Sequence, residues 1–223
     1  MSNEKIYAPT ITNDEEWHRE RQKGIGASES SAVIGLNPYC SNVELWRRKT
    51  GRAQAPDISN VECVAYGHAA EGHIRELFAL DYPEYEVGYG GAYDIVRNSE
   101  YPFIFATLDG RLTRKADGKK GVLEIKTTEI LRSMQKEKWS GQIPPNYYCQ
   151  VLHQLLATGY DFAVLHAQLK FSYGDEIRTE RRSYFIERSE VQSDLDYLLS
   201  EEIKFWRDYV EKGVEPPLIL PNI

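Results

Sequence analysis

Hydrophobic and polar residues alternate in residues 103–112 and again in residues 122–127. A two-residue period is typical of β-strands, in which successive side chains point to opposite faces of a sheet. Asp117 and Gly118, which lie between the two runs, favour a tight turn. The pattern therefore predicts a hairpin of two strands, and the rest of the chain is expected to support it.

Apolar residues recur at helical spacing in six other segments. Asn13, Ser28, Asn60 and either Ser41 or Asn42 are suited to cap the first four helices. The helices are predicted after residues 13–16 and at residues 27–36, 43–51, 61–82, 147–158 and 189–212. Additional strands are predicted at residues 85–89, 92–96, 162–171 and 177–186.

Two glycines, Gly67 and Gly72, fall inside the longest helix predicted in the first half of the chain. Each is about 1 kcal/mol less favourable than alanine in a helix interior. Their presence predicts that a strand or a metal approaches this helix closely.

The chain has 223 residues, of which 41% are hydrophobic and 12% aromatic, so it can bury one sizeable core. One α/β domain spanning residues 1–223 is expected. No run reaches the length of a membrane span, and the first ten residues lack the apolar stretch of a signal peptide. The three cysteines are isolated and form no CxxC pair, which predicts reduced thiols and no zinc or iron–sulfur site. A cytoplasmic protein that does not contact membranes is expected.

The formal net charge of −7 argues against a protein that coats nucleic acid over its whole surface. Basic residues are nevertheless clustered, and each cluster taken alone is more often a solvated face than a DNA contact. An acidic exterior with a locally basic channel suits an enzyme that encloses its substrate. The clusters include Arg47-Arg48-Lys49 with Arg52, and Arg132 with Lys136 and Lys138.

The predicted hairpin carries a compact set of charged residues. Asp109 lies late in its first strand, and Glu124 and Lys126 share one face of the second, while Ile125 between them faces the core. Two acids beside a lysine are the usual minimum for a magnesium nuclease, because carboxylates hold a hard cation and the ammonium steadies the developing negative charge. The alternative is a salt bridge at a strand edge, which is common.

Six motifs in this order resemble those of the phage-type alkaline exonucleases, namely lambda exonuclease and the YqaJ-like viral recombinases of the PD-(D/E)xK nuclease superfamily. The similarity runs from Trp17 to about Gly159, roughly two thirds of the chain. One motif such as LEIK occurs by chance in many proteins, whereas six in order are specific. The resemblance implies a restriction-endonuclease-like α/β (α+β) core, with a central mixed sheet flanked by helices. The motifs are WHRERQKGIGASESSAVIGLNPY, ELWRRKTG, GHAAEGHIRELF, ATLDG, LEIKTT and YYCQVLHQLLATG.

The resemblance also implies roles for individual residues. Glu71 matches an acid that reaches a second metal ion, and Gln150 matches a glutamine beside the reacting phosphate. The implied cofactor is Mg²⁺, with two ions bound and Mn²⁺ as an alternative. The implied catalytic residues are Asp109, Glu124, Lys126 and Gln150, and the implied metal ligands are Glu71, Asp109, Glu124 and Ile125.

A pocket for the terminal 5′-phosphate is implied at Arg21, Ser28, Thr107 and Arg132. A guanidinium and a helix N-terminus supply the donors that a phosphate monoester needs. Thr107 stands where the family has serine, which keeps the hydroxyl but adds a methyl group. Leu108 replaces the proline before the catalytic aspartate. Without the motifs, Arg21 would be read as a surface charge and Ser28 as a helix cap.

The activity implied is a 5′-to-3′ exonuclease on double-stranded DNA ends that leaves 3′ single-stranded tails. The resemblance further implies a homotrimeric ring around the duplex and a phage-type single-strand annealing partner of the RecT or Red-beta type. Two alternatives stay open: an endonuclease or RecB-like nuclease of the same superfamily, and a catalytically silent subunit that binds DNA ends. His68 and His73 flank Glu71 but do not share a helical face, so zinc is not expected. His153 and His166 are expected to be structural.

Overall fold

The computed structural model describes residues 11–58, 60–130, 136–173 and 176–220. The strands in these residues are β1 Ile25–Gly26, β2 Tyr85–Gly88, β3 Ile95–Arg97, β4 Ile104–Thr107, β5 Gly110–Arg114, β6 Lys120–Ile130, β7 Phe162–Tyr173 and β8 Glu176–Glu187. The helices are α1 Asp14–Arg21, α2 Ser30–Val33, α3 Asn42–Lys49, α4 Glu62–Asp81, α5 Pro145–Thr158 and α6 Gln192–Lys204. None of the described helices combines the length and the apolar character needed to cross a bilayer.

The strands form two mixed sheets. The larger has the order β2-β5-β6-β7-β8, with β6 and β7 parallel and the other neighbours antiparallel. The smaller has the order β1-β4-β3, with β1 parallel to β4. The parallel pair β6–β7 is connected through α5, as parallel neighbours require a crossover.

The predicted hairpin is correct in its second half and wrong in its first. Strands β5 and β6 pair around the turn at Asp117 and Gly118, and Gly118 has a φ of 72°, which glycine adopts without strain. Residues 103–112 do not form one strand, however. They break at Leu108 and Asp109, and β4 and β5 on either side belong to different sheets. Asp109 therefore lies at the junction between the two sheets.

Two of the predicted helix caps are confirmed and two are wrong. The side chain of Asn13 accepts the main-chain N–H of Glu16 at 2.9 Å, and Ser41 caps α3. Helix α4 instead begins after Val61 without a side-chain cap, so Asn60 is not its cap. Ser28 does not open a helix either, because it lies within a 3₁₀ turn, Ala27–Glu29, that follows Gly26.

Helices cover both faces of the larger sheet. Helix α5 packs one face with side chains such as Val151 and Leu155, and α4 packs the other with Ile74 and Phe78. Residues 121–125 of β6 are consequently buried on both faces, and Ile125 is in the core as predicted.

The two helical glycines differ in what approaches them. A Cβ at Gly67 would lie 3.1 Å from the hydroxyl oxygen of Thr127 on β6, so the predicted close approach is a strand. At Gly72 the nearest atom would be the end of Arg75 at 3.8 Å, an ordinary contact. The prediction is confirmed for Gly67 and wrong for Gly72.

The predicted C-terminal helix is interrupted. Helix α6 ends at Lys204, and a π-helical turn, Phe205–Val210, follows it. Leu195 and Leu198 are buried as predicted, but the wider turn brings Phe205 into the core beside Trp46. Glu202 also faces inward, although the sequence pattern favours Ile203 at that place.

Glu202 and His153 form a fully buried pair that joins α6 to α5. Nδ1 of His153 lies 2.6 Å from Oε1 of Glu202, and Nε2 lies 2.9 Å from the main-chain oxygen of Phe105. Both partners are acceptors, so both ring nitrogens carry protons. Burial alone lowers the pKa of His153, but the Glu202 carboxylate and the Phe105 carbonyl raise it above its ordinary value. His153 is thus structural, as expected.

Replacing Glu202 with leucine is expected to destabilise the protein by about 3–5 kcal/mol, because it leaves His153 buried without its counterion. Because the pKa of His153 is higher in the folded than in the unfolded protein, the His153–Glu202 pair contributes its full stabilisation below about pH 6.5. This stabilisation is lost as the pH rises through the folded pKa of His153. The stability difference from wild type should therefore be larger at pH 6 than at pH 9, as measured by urea unfolding. Glu201→Leu, on the neighbouring position, is the control, and an equal loss in both variants would contradict the assignment.

Candidate active site

The junction between β4 and β5 brings Asp109 against strand β6. Its Oδ2 accepts the main-chain N–H of Ile125 at 2.7 Å. Gly110 is paired with Leu123 in the β5–β6 register, so Asp109 lies beside Glu124. Two carboxylates, one directly before β5 and one within β6, thus lie beside each other.

Glu124 is buried, with 1% of its surface exposed, and is surrounded by donors. Its Oε1 is 2.5 Å from the ammonium of Lys126 and 2.6 Å from the amide nitrogen of Gln150. Its Oε2 accepts from the amide of Gln154, one helical turn after Gln150 on α5. The Lys126 ammonium also lies 5.0 Å from the centre of the Tyr147 ring. The predicted face-sharing of Glu124 and Lys126 is seen here, and α5 delivers Gln150 to the same place.

Burial and mutual repulsion set the charge state of this group. Burial raises the pKa of Asp109 well above its ordinary value, and the neighbouring Glu124 carboxylate raises it further, against the opposing effect of Lys126. Burial lowers the pKa of Lys126, but the Glu124 and Asp109 carboxylates outweigh this effect, so its pKa is raised. Lys126 is therefore an ammonium at neutral pH.

Glu71 approaches the pair from α4 and is turned toward Arg75. The guanidinium of Arg75 lies 3.3 Å from Oε1 of Glu71 and donates to the main-chain oxygen of Asp109. It also stacks on the ring of Tyr89, 3.7 Å from the ring centre. The negative charge of Glu71 contributes to the raised pKa of Asp109, which places it within electrostatic range. Arg75 thus links the helix to the junction.

The donor set fits a hard cation in its chemistry. Asp109, Glu124 and Glu71 offer carboxylate oxygens, and Ile125 can contribute only its main-chain carbonyl, because its side chain packs in the core. Burial first, and then the neighbouring carboxylates of Glu124 and Glu71, raise the pKa of Asp109. In the described residues, no three His, Cys, Asp or Glu side chains gather closely enough to hold a metal ion. His68 and His73 are both exposed on α4.

Arg21 ends α1 and lies over two aromatic rings. Its guanidinium carbon is 4.5 Å from the centre of the Trp17 ring and 5.6 Å from that of Phe105. A Cβ placed on Gly26 would lie 3.3 Å from one of its terminal nitrogens. Within the described ranges Arg21 forms no ion pair with a carboxylate, so its donors are available to a ligand.

The pairing of β1 with β4 determines where two other predicted pocket residues, Ser28 and Thr107, lie. Gly26 is paired with Phe105 in a parallel register. Ser28 and Thr107 each come two residues later, so both leave the same end of the smaller sheet, Ser28 exposed and Thr107 partly exposed. Arg132, the fourth predicted member, lies outside the described residues.

Several residues that contact these groups were not predicted. Gln154 belongs to the helix that carries Gln150, and its i, i+4 spacing is the sequence signal that could have revealed it. Arg75 has the same spacing from Glu71. Lys49 lies in a cluster that the sequence analysis assigned to the surface, yet only 2% of its side chain is exposed.

The amino-acid sequence of this chain is similar to one known family and to one protein of Bacillus subtilis. The family model described as the YqaJ-like viral recombinase domain matches residues 16–161. The uncharacterized protein YqaJ of Bacillus subtilis (strain 168) is 33% identical over 213 residues, which cover 92% of this chain. The chain spans 59% of the length of that relative.

Three solved structures of similar fold carry exonuclease names. LHK-Exo in complex with dAMP matches with a TM-score of 0.59 and 17% identity over 90% of this chain and 96% of that one. The alkaline exonuclease LHK-Exo from Laribacter hongkongensis matches with a TM-score of 0.55 and 18% identity, over 90% and 97%. A phage-related exonuclease from Haemophilus somnus 129PT gives 0.53 and 13%, over 85% and 96%. The expected fold class, a mixed sheet flanked by helices in a restriction-endonuclease-like core, is confirmed.

Proposed function

Because this chain belongs to the YqaJ-like viral recombinase family, we propose that it is a magnesium-dependent exonuclease that degrades the 5′ strand of double-stranded DNA from its ends. Family and fold together support a nuclease role. Polarity, metal and substrate are our proposal, as is the extension of any activity to a chain that spans 59% of its relative.

The observation that carries this proposal is the buried carboxylate of Glu124. Its two oxygens face Lys126 and Gln150 on one side and Gln154 on the other, while Asp109 lies beside it across the strands. Burying a charge in this way is costly. A strand-edge salt bridge needs neither the second carboxylate nor the two glutamines. A carboxyl group with a perturbed pKa, here Asp109, beside a lysine and other polar groups is typical of a catalytic site.

Two Mg²⁺ ions, or Mn²⁺ as the alternative, would be held by Asp109, Glu124, Glu71 and the main-chain carbonyl of Ile125. The metal would act as a Lewis acid that polarises the phosphate and would make the attacking water more acidic. Lys126, as an ammonium, donates hydrogen bonds; it orients the water and stabilises the charge that develops on the phosphate. Gln150 can turn its amide from Glu124 toward the scissile phosphate. The water then attacks the scissile phosphate in line, and the bond from phosphorus to the 3′ oxygen breaks.

The Arg21 guanidinium, together with Ser28, Thr107 and Arg132, would bind the terminal 5′-phosphate and draw the strand forward after each cut. Digestion would leave a 3′ single-stranded tail for a phage-type annealing protein of the RecT or Red-beta type. We further propose a homotrimeric ring around the duplex, which suits an acidic exterior, and a cytoplasmic location in a bacterial host.

Linear and covalently closed circular duplexes distinguish this activity from its alternatives. With Mg²⁺, the exonuclease consumes linear DNA and leaves the closed circle intact. Cleavage of the circle would indicate an endonuclease of the same superfamily. A protein that binds DNA ends without hydrolysing them with either Mg²⁺ or Mn²⁺ would be a catalytically silent subunit.

Replacing Arg21 with alanine is expected to remove the preference for a 5′-phosphate. Wild type should digest 5′-phosphorylated duplex at least about tenfold faster than 5′-hydroxyl duplex, because a charge-assisted pair with the terminal phosphate is lost in the second substrate. The variant should digest both at similar rates. Arg19→Ala, two residues earlier on α1, is the matched control. An unchanged preference in Arg21→Ala would show that the pocket is assigned wrongly.

A further inference from the structure

Lys49, the last residue of α3, is a buried ammonium in the interior of the protein. It has two oxygen partners: the Glu29 carboxylate at 2.7 Å and the main-chain oxygen of Arg21 at 3.0 Å. Burial lowers the pKa of Lys49, and the Glu29 carboxylate opposes this effect. A buried charge with defined partners is a feature that needs a structural or functional reason.

The same carboxylate fixes a second segment. Oε2 of Glu29, which faces Lys49, also accepts the main-chain N–H of Gly26 at 2.8 Å. Lys49 therefore ties the carbonyl end of α1 to the beginning of the 3₁₀ turn Ala27–Glu29. These are the two segments that carry Arg21 and Ser28.

Glu29 is also a potential competitor for Arg21. A Cβ on Gly26 would lie 3.3 Å from a terminal nitrogen of Arg21 and 3.3 Å from Oε2 of Glu29, so both groups lie close to this glycine. Opposite charges this close attract each other, so the Glu29 carboxylate is within reach of pairing with Arg21. Here Glu29 is instead held by Lys49, and Arg21 remains available between the rings of Trp17 and Phe105.

We propose that Lys49 is a positioning residue of the terminal-phosphate pocket: it neutralises and holds Glu29, so that the Arg21 guanidinium stays free for a phosphate dianion. This inference rests on the proposed function, because it assigns a means of selection to the same pocket. Without Lys49, the Glu29 carboxylate would repel the phosphate and occupy its arginine.

The test is equilibrium binding without divalent metal of duplexes that carry either a 5′-phosphate or a 5′-hydroxyl. The quantity measured is the ratio of the two dissociation constants. In Lys49→Met the preference for the phosphate should fall at least about tenfold. In the double variant Lys49→Met, Glu29→Gln it should recover, because the amide can still accept the Gly26 N–H but carries no charge. Lys212→Met, which removes a surface lysine paired with Asp208 at 2.7 Å, is the matched control and should match wild type.

The single variant Glu29→Gln keeps the proposal testable even if Lys49→Met does not fold. It should bind the 5′-phosphorylated duplex at least as tightly as wild type does. A loss of preference in Glu29→Gln, or no recovery in the double variant, would overturn the proposal. If Arg21→Ala loses the preference while Lys49→Met keeps it, the pocket stands and the role of Lys49 is wrong. If wild type shows no preference, the pocket itself is wrong and the inference falls with it.

Discussion

Replacement of Lys126 with alanine is expected to lower the rate of hydrolysis of linear duplex DNA by about 10²–10⁴-fold, the range found when a catalytic donor is removed. The ammonium lies 2.5 Å from Glu124, and the carboxylates around it keep it charged. Alanine removes the donor that orients water and balances charge on the phosphate. The rate under single-turnover conditions with saturating Mg²⁺ is the measurement that isolates this step.

Lys120→Ala is the matched control, since it is the same substitution on the same strand. Lys120 is exposed at the start of β6, where its ammonium donates to the hydroxyl of Thr113 at 3.0 Å. It should retain wild-type hydrolysis. If both variants hydrolysed DNA at the wild-type rate, the active site would have to lie elsewhere.

Replacement of Asp109 with asparagine is expected to have opposite effects on activity and stability. Hydrolysis should fall by more than about 10²-fold, because the charge that holds the cation is lost. The metal-free protein should become more stable, because the substitution removes the repulsion between two neighbouring carboxylates, while the amide oxygen can still accept the N–H of Ile125. Since about 1 kcal/mol corresponds to about 2–4 °C in a domain of this size, a rise in Tm of at least about 2 °C is expected.

The pH dependence of this stability difference follows from the direction of the pKa shift. The pKa of Asp109 is higher in the folded than in the unfolded protein. Below the unfolded pKa of about 3.9, Asp109 is protonated in both states and does not lower the free energy of unfolding. As the pH rises through the folded pKa, the carboxyl group ionises in the folded protein and that free energy falls. The advantage of Asp109→Asn should thus grow as the pH rises through the folded pKa of Asp109 and shrink toward pH 4. Mg²⁺ should stabilise wild type and not the variant. Asp117→Asn, in the β5–β6 turn, is the control; a variant that is both inactive and less stable at pH 7 would contradict this account.

The alternating pattern of strand β6 was sufficient to predict the central contact of the site. A period of two places Glu124 and Lys126 on one face whatever the rest of the fold, and the structure confirms it. The cap at Asn13 was predictable for the same reason, because it depends on residues within one turn. These features are local, and local sequence determines them.

Features that depend on the arrangement of distant segments were predicted less well. Nothing in residues 103–112 shows that the strand breaks at Leu108 and that its halves join different sheets. The sequence likewise places Lys49 in a basic cluster and does not show that its side chain is buried. The burial results from the packing of α3 against the end of α1. The contact of Arg75 was not predicted for the same reason, because its partner is the main-chain oxygen of Asp109, 34 positions away in the sequence.

The candidate role of Asp109 came from the predicted hairpin, whereas that of Glu71 came only from the order of motifs. The structure brings Asp109 beside Glu124, whereas Glu71 is turned to Arg75. A lone motif could not have joined residues of α4 with those of β6. Their roles as metal ligands remain predictions.

The polarity of digestion is the central claim, and duplexes labelled on one strand at either the 5′ or the 3′ end test it most directly. With Mg²⁺ and enzyme in excess over 5′-phosphorylated ends, we expect the 5′ label to be released first, as a mononucleotide. The 3′ label should stay on long single strands. Early release of the 3′ label, or release of neither label while internal cuts accumulate, would contradict it.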